Sequence, residues 1–202
     1  MLTKREEPFF SICQLLINSC SPALCGLKPA SLFSLSLQDY EAVADCLQVI
    51  SKQLSYFGKR ILPVFRLGRG VVVFVYDPQL LLSLLASPAV QDYLLRRGYP
   101  LDGNEMVEEF ASRLAASSGF PHEAGIFLGY PLEDVLSFEE NPHFGWKYCG
   151  LWKAYHDVDY AKEMSRRCRE CCSLCREWHS QGHTIPGVMK KYSRLKQVSG
   201  VW

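Results

Sequence analysis

The chain has 202 residues, 48% hydrophobic and 21% charged, an ordinary globular balance in a chain long enough to bury a sizeable core. Its 22 Lys and Arg against 21 Asp and Glu leave a formal net charge of +1, which gives no electrostatic reason to expect DNA, RNA or an anionic membrane surface as partner. No stretch approaches the ~20 uninterrupted apolar residues of a membrane-spanning helix.

The N-terminus opens on mixed charges, and its apolar run is short and broken by Ser11, Gln14 and Asn18, so it is read as a first helix over 8–18, ended before Pro22. Without an export signal the expected location is the cytoplasm, where the nine Cys stay thiols. CSPALCGLKPASLF (20–33) is dense in Ser, Pro and Gly but apolar, which predicts a packed loop. Ser36, with Asp39 three residues on, starts a helix carrying Val43, Leu47, Ile50 and Leu54, stopped at Gly58. RILPVFR (60–66) and VVVFVY (71–76) read as strands joined by the LGRG turn, with Pro63 marking the first as an edge or a bulge. Asp77-Pro78 and Ser87-Pro88 each open a short helix, the second stopped at Gly98.

Val107, Phe110, Ala111 and Leu114 define the next helix, ended by Gly119. EAGIFLGY (123–130) reads as a buried strand, and Pro131 opens a helix whose first turn carries Glu133 and Asp134, the sign that suits the helix dipole. WKYCGLWKAY (146–155) alternates as a strand, with Trp146, Tyr148 and Trp152 on one side and Lys147, Leu151, Lys153 and Tyr155 on the other. Asp157 or Asp159 caps a long helix to about Gln181, and Thr184 caps a last one with Val188 and Tyr192. These elements predict an α+β fold: a small, mainly antiparallel sheet of about four strands, helices packed around it and a long C-terminal helix. One domain over 1–202 is expected, with 183–202 a helical tail.

Four places carry chemistry. His122 and Glu123 sit at a loop–strand junction, where a His acts as general base, metal ligand or anion contact and a Glu orients it or serves as the acid. The bland alternative is a turn at Pro121-His122 with the ring bonded to backbone. Lys28 lies in a Gly/Pro loop that allows close approach of a ligand, although the loop is no P-loop and a solvated lysine is the competing reading. Lys153 in an aromatic strand either snorkels to the edge or points into a pocket. Cys168, Cys171, Cys172 and Cys175 share one helical stripe with Ala161 and Met164. CxxC spacing suits Zn or an iron–sulfur cluster. A straight helix, however, spreads its ligands at 1.5 Å per residue. The charged residues around the stripe make an amphipathic helix with Cys as small hydrophobes the stronger reading, so these four are weak metal candidates.

FPHEAGIFLGYPLEDV (120–135) followed by GLWKAY (150–155) resembles a family of bacterial proteins defined as a domain of unknown function. The likeness extends through CSPALCGLKPASLF and VVVFVYDP and covers about 18–190. Ala124 and Ala154 stand where that family usually has bulkier aliphatics, and the cysteine helix is denser. The resemblance implies a bacterial, cytoplasmic protein and brings no catalytic residues. The leading functional expectation is a small-molecule enzyme or binding domain. In it Lys28, His122, Glu123 and Lys153 meet an anionic ligand between Tyr130 and Tyr155. The alternatives are a metal- or thiol-linked accessory protein using the cysteine helix, and an interaction module without chemistry.

Overall fold

The computed structural model describes residues 6–199; residues 1–5 and 200–202, which the expected domain includes, lie outside the described residues. In order they form α1 (Glu6–Leu24), β1 (Ala30–Leu35), α2 (Leu37–Ser55), β2 (Arg60–Arg66), β3 (Gly70–Tyr76), α3 (Pro78–Leu85), α4 (Pro88–Leu95) and α5 (Gly103–Ala116). Then come α6 (Ala124–Phe127), α7 (Leu132–Glu140), β4 (Tyr148–Cys149), β5 (Lys153–Ala154), α8 (Val158–Ser180) and α9 (Ile185–Ser199). The fold is α+β. Among the described residues no helix is long and apolar enough to cross a membrane.

Three antiparallel strands in the order β1-β3-β2 make the main sheet, and β4 and β5 make a two-stranded one. VVVFV of β3 is apolar at every position because this central strand is covered on both faces. Val71, Val73 and Val75 join side chains of α1, α2, α8 and α9 in one core. Val72 and Phe74 join α3 to α7 in another. Each buried Val or Phe stabilises by about 1.5–3 kcal/mol, so β3 anchors two cores through alternate residues. Pro63 sits on the edge strand β2, opposite Val73, as its missing N–H requires. Ser36 accepts the Asp39 N–H at 3.0 Å, and Asp77, Asp102 and Asp157 cap α3, α5 and α8 in the same way.

Four expectations need correction. α1 begins at Glu6 and runs through Pro22 to Leu24 instead of stopping before the proline. Ser21, Pro22, Ala23 and Leu24 are all buried, and tertiary packing near the helix end outweighs the one lost hydrogen bond. The expected packed loop over 20–33 is a helix end, a turn and β1, which pairs with β3 from Ala30 opposite Tyr76 to Leu35 opposite Val71. Its inward Ala30 and Leu32 belong to one core and Phe33 and Leu35 to the other.

EAGIFLGY is not a strand. Its middle is the single-turn helix α6, with Phe127 stacked on Phe110 at 4.1 Å between ring centroids. A short apolar run buried on all sides has no period that separates strand from helix. Nor is WKYCGLWKAY one strand: β4 and β5 fold back on each other about a turn at Gly150. A Cβ on Gly150 would lie 2.3 Å from Ser165 Oγ, so only glycine allows that approach to α8.

Candidate functional site

The segments 120–138 and 152–153 enclose a cleft of about 550 Å³ beside the second core. Pro121 and His122 end the loop before α6, and α6 carries Ala124 and Gly125 along one wall. Leu128 and Tyr130 follow, placed by Gly129 at a φ of 81° and packed on Pro29. α7 supplies Asp134, Val135 and Phe138, and Leu32 of β1 closes the apolar floor. Trp152 and Lys153, which an unbroken strand would put on opposite faces, both border the cleft because the chain turns there.

Asp134 holds this arrangement together. It is 2% exposed, and its Oδ2 accepts the Trp152 Nε1–H at 2.7 Å. Its Oδ1 accepts the backbone N–H groups of Tyr155 at 2.8 Å and His156 at 3.1 Å. A buried carboxylate is tolerable only when so satisfied, and its remaining capacity to bind a ligand is small. Trp152 is thereby fixed flat against Tyr130, ring centroids 5.1 Å apart. Burial, and then the nearby Cys168, push the Tyr130 hydroxyl up to about 12.

Lys153 donates one hydrogen bond to the Pro142 carbonyl at 2.6 Å and lies 5.7 Å from the Phe138 centroid and 6.0 Å from that of Trp146. Among the described residues no carboxylate pairs with it. An ammonium has three donors, so two remain for a ligand. The exposed His122 ring lies 5.7 Å from that of Phe138.

Of the residues singled out in the sequence, His122, Tyr130 and Lys153 therefore share one concavity. Lys28 adjoins it without lining it: its ammonium stands 5.3 Å from the centroid of the Tyr130 ring, and burial lowers its pKa. Glu123 turns away from His122, accepting the Tyr99 hydroxyl at 3.0 Å with Arg113 at 3.5 Å. Tyr155 is buried and donates its hydroxyl to the Asn141 carbonyl at 2.9 Å. Asp134 carried only a dipole signal in the sequence, and nothing local tied it to Trp152.

The cysteine stripe on α8 splits into two pairs. Cys171 and Cys175, one turn apart, face Cys25 from the turn after α1. Cys25 and Cys175 sulfurs are 3.6 Å apart and those of Cys171 and Cys175 3.9 Å. Cys168 and Cys172 lie instead toward Lys28, where their charge would favour the ammonium. The four helix cysteines thus do not gather on one point, as their axial spread requires. Cys25, from a distant part of the chain, joins Cys171 and Cys175 although no local spacing pairs it with α8. Hydrogen bonds from Cys171 and then Cys25 lower the pKa of the Cys175 thiol, against the cost of burial.

The model of the family described as "Protein of unknown function (DUF3793)" matches residues 16–189. The chain belongs to that family. The DUF3793 match runs from within α1 into α9 and includes every cleft residue and all three clustered cysteines. Comparison with curated proteins and with solved structures gives no match.

Proposed function

We propose that the chain binds a small molecule with an apolar, planar or acyl body and one anionic group, held in the cleft with the anion on Lys153. The observation that carries this reading is a lysine ammonium that has no carboxylate partner among the described residues, at an otherwise mostly apolar cleft. A volume of about 550 Å³ falls in the range of small-molecule sites, roughly 300–1,000 Å³. Leu32, Leu128, Val135 and Phe138 supply the apolar contact. Lys153 supplies an oriented charge in a low-dielectric surround, where an ion pair gains most. His122 and Tyr130 flank the same opening, and Lys28 beyond the Tyr130 ring adds a second positive charge to the local field.

The test uses anilinonaphthalene sulfonate, an apolar body with one sulfonate, followed by its own fluorescence. Lys153→Met should weaken binding about tenfold, equivalent to about 1.4 kcal/mol, and Leu128→Trp, which fills the cleft, should abolish it. Equal affinity for the parent chain and both variants would remove the cleft from consideration.

A further inference from the structure

We propose that Cys25, Cys171 and Cys175 bind one thiophilic d10 cation, Zn²⁺ or Cu(I), which clamps the turn after α1 to α8. This site lies in the core formed by α1, α2, α8 and α9, not in the core bordering the cleft, and does not depend on the ligand proposed there.

The geometry is that of thiolates sharing a single ion. With metal–sulfur bonds of about 2.3 Å, sulfurs in a tetrahedral site stand about 3.8 Å apart. The two measured edges are 3.6 Å and 3.9 Å, and the three sulfurs all lie within 4.8 Å of one another. Cys171 and Cys175 are four apart on one helix, so their side chains project together from consecutive turns. Cys25 comes from a different element and closes the triangle, which a single helix could not do. A pair of thiols in S–H···S contact stands at similar distances; the proposal rests on three sulfurs from two elements converging on one point.

The cluster has one entrance. Cys171 and Cys175 are fully buried, while Cys25 is half-buried and leaves a way in. The Lys59 ammonium is close by, 3.9 Å from where a side chain on Gly26 would begin. Lys59 is itself held by Asp77 at 2.5 Å.

Among the described residues no fourth Cys, His or carboxylate joins the group. Three thiolates alone satisfy trigonal Cu(I); Zn²⁺ completes its tetrahedron with water or an external ligand. On binding, each coordinating thiol that is still protonated gives its proton to solvent, and no electron is transferred.

The experiment uses the full chain, reduced and purified without oxygen. It is titrated with Zn²⁺ against pyridylazoresorcinol and, separately, with Cu(I) against bathocuproine disulfonate. One ion per chain is expected in at least one titration. Cys25→Ala and Cys175→Ala should weaken it at least a hundredfold, and the Cys168→Ala/Cys172→Ala double variant should bind as the parent does. Binding that survives the first two variants, or is lost in the double variant, overturns the proposal. So does failure of both titrations.

Because a buried Cys→Ala change can unfold the chain, the unmodified protein supplies a second readout. Mass-mapped alkylation of Cys25 should slow at least tenfold when the ion is present, while the exposed Cys149 reacts unchanged. Equal Cys25 rates with and without metal refute the site whatever the variants do.

Discussion

Replacing Asp134 tests the account of how the cleft is built. Its carboxylate is 2% exposed and receives three N–H groups, one from the Trp152 indole and two from the Tyr155 and His156 backbone. Asp134→Ala leaves three buried or half-buried donors without a partner, each costing about 1–3 kcal/mol. The cleft adjoins the Trp152 side and admits water, so the sum is smaller than three full penalties: about 3–5 kcal/mol, a large share of the 5–15 kcal/mol that hold a typical domain folded. Asp134→Asn keeps the shape and one acceptor oxygen but turns an NH₂ toward a donor; about 2 kcal/mol should be lost. The assay is urea unfolding followed by far-ultraviolet circular dichroism, with the slope unchanged if only stability has moved. Tryptophan emission should shift to the red in the folded Ala variant as the indole loses its acceptor. A loss below about 1 kcal/mol for Asp134→Ala would mean that the three bonds are not what fixes β5 to α7.

Three further outcomes follow from the same geometry. Gly129→Ala puts a Cβ 2.4 Å from Pro29 Cδ at a φ of 81°, and thermal unfolding should report a loss of about 2–4 kcal/mol; a neutral change would show that the turn relaxes freely. Lys28→Met removes a half-buried charge that has no carboxylate partner among the described residues, and should stabilise the fold by about 1 kcal/mol at neutral pH. The folded pKa lies below the ordinary 10.5, so the unfolded chain holds more protons between the two values and the parent gains stability as pH rises through that window. The advantage of Lys28→Met is therefore complete below the lowered pKa and gone above 10.5; a constant advantage across this range would contradict it. Glu123→Leu strands the Tyr99 hydroxyl, while Arg113 keeps Glu109 and the Arg97 carbonyl, and should cost about 1–2 kcal/mol while leaving anilinonaphthalene sulfonate binding unchanged. A tenfold fall in affinity with the fold intact would put this carboxylate in the cleft after all.

The elements legible in the sequence were those whose signal is local. The LGRG turn between two β-rich runs, Pro63 on an edge strand and Ser36 before its helix each carry their own chemistry, and each stands where the pattern put it. EAGIFLGY failed because burial on every side erases the period that distinguishes strand from helix. β1 was hidden because its two faces enter two different cores, so both sets of alternate residues include apolar ones. In the site, His122, Tyr130 and Lys153 stood out as polar groups interrupting apolar segments. Asp134 and Cys25 did not, since each matters only through partners brought from 18 residues away in one case and 150 in the other.

The turn between α1 and β1 has one further consequence. It is only the stretch 25–29, pinned by the Leu27 N–H on the Pro22 carbonyl at 2.8 Å. At its start Cys25 touches the α8 sulfurs; at its end Lys28 lies over Tyr130 and Pro29 presses on Gly129. This one strut therefore has a foot in each compartment that β3 separates. If ordering at one foot changes the freedom of the other, linkage returns that preference in equal measure. Amide exchange at Leu27 is where that reciprocity would be read.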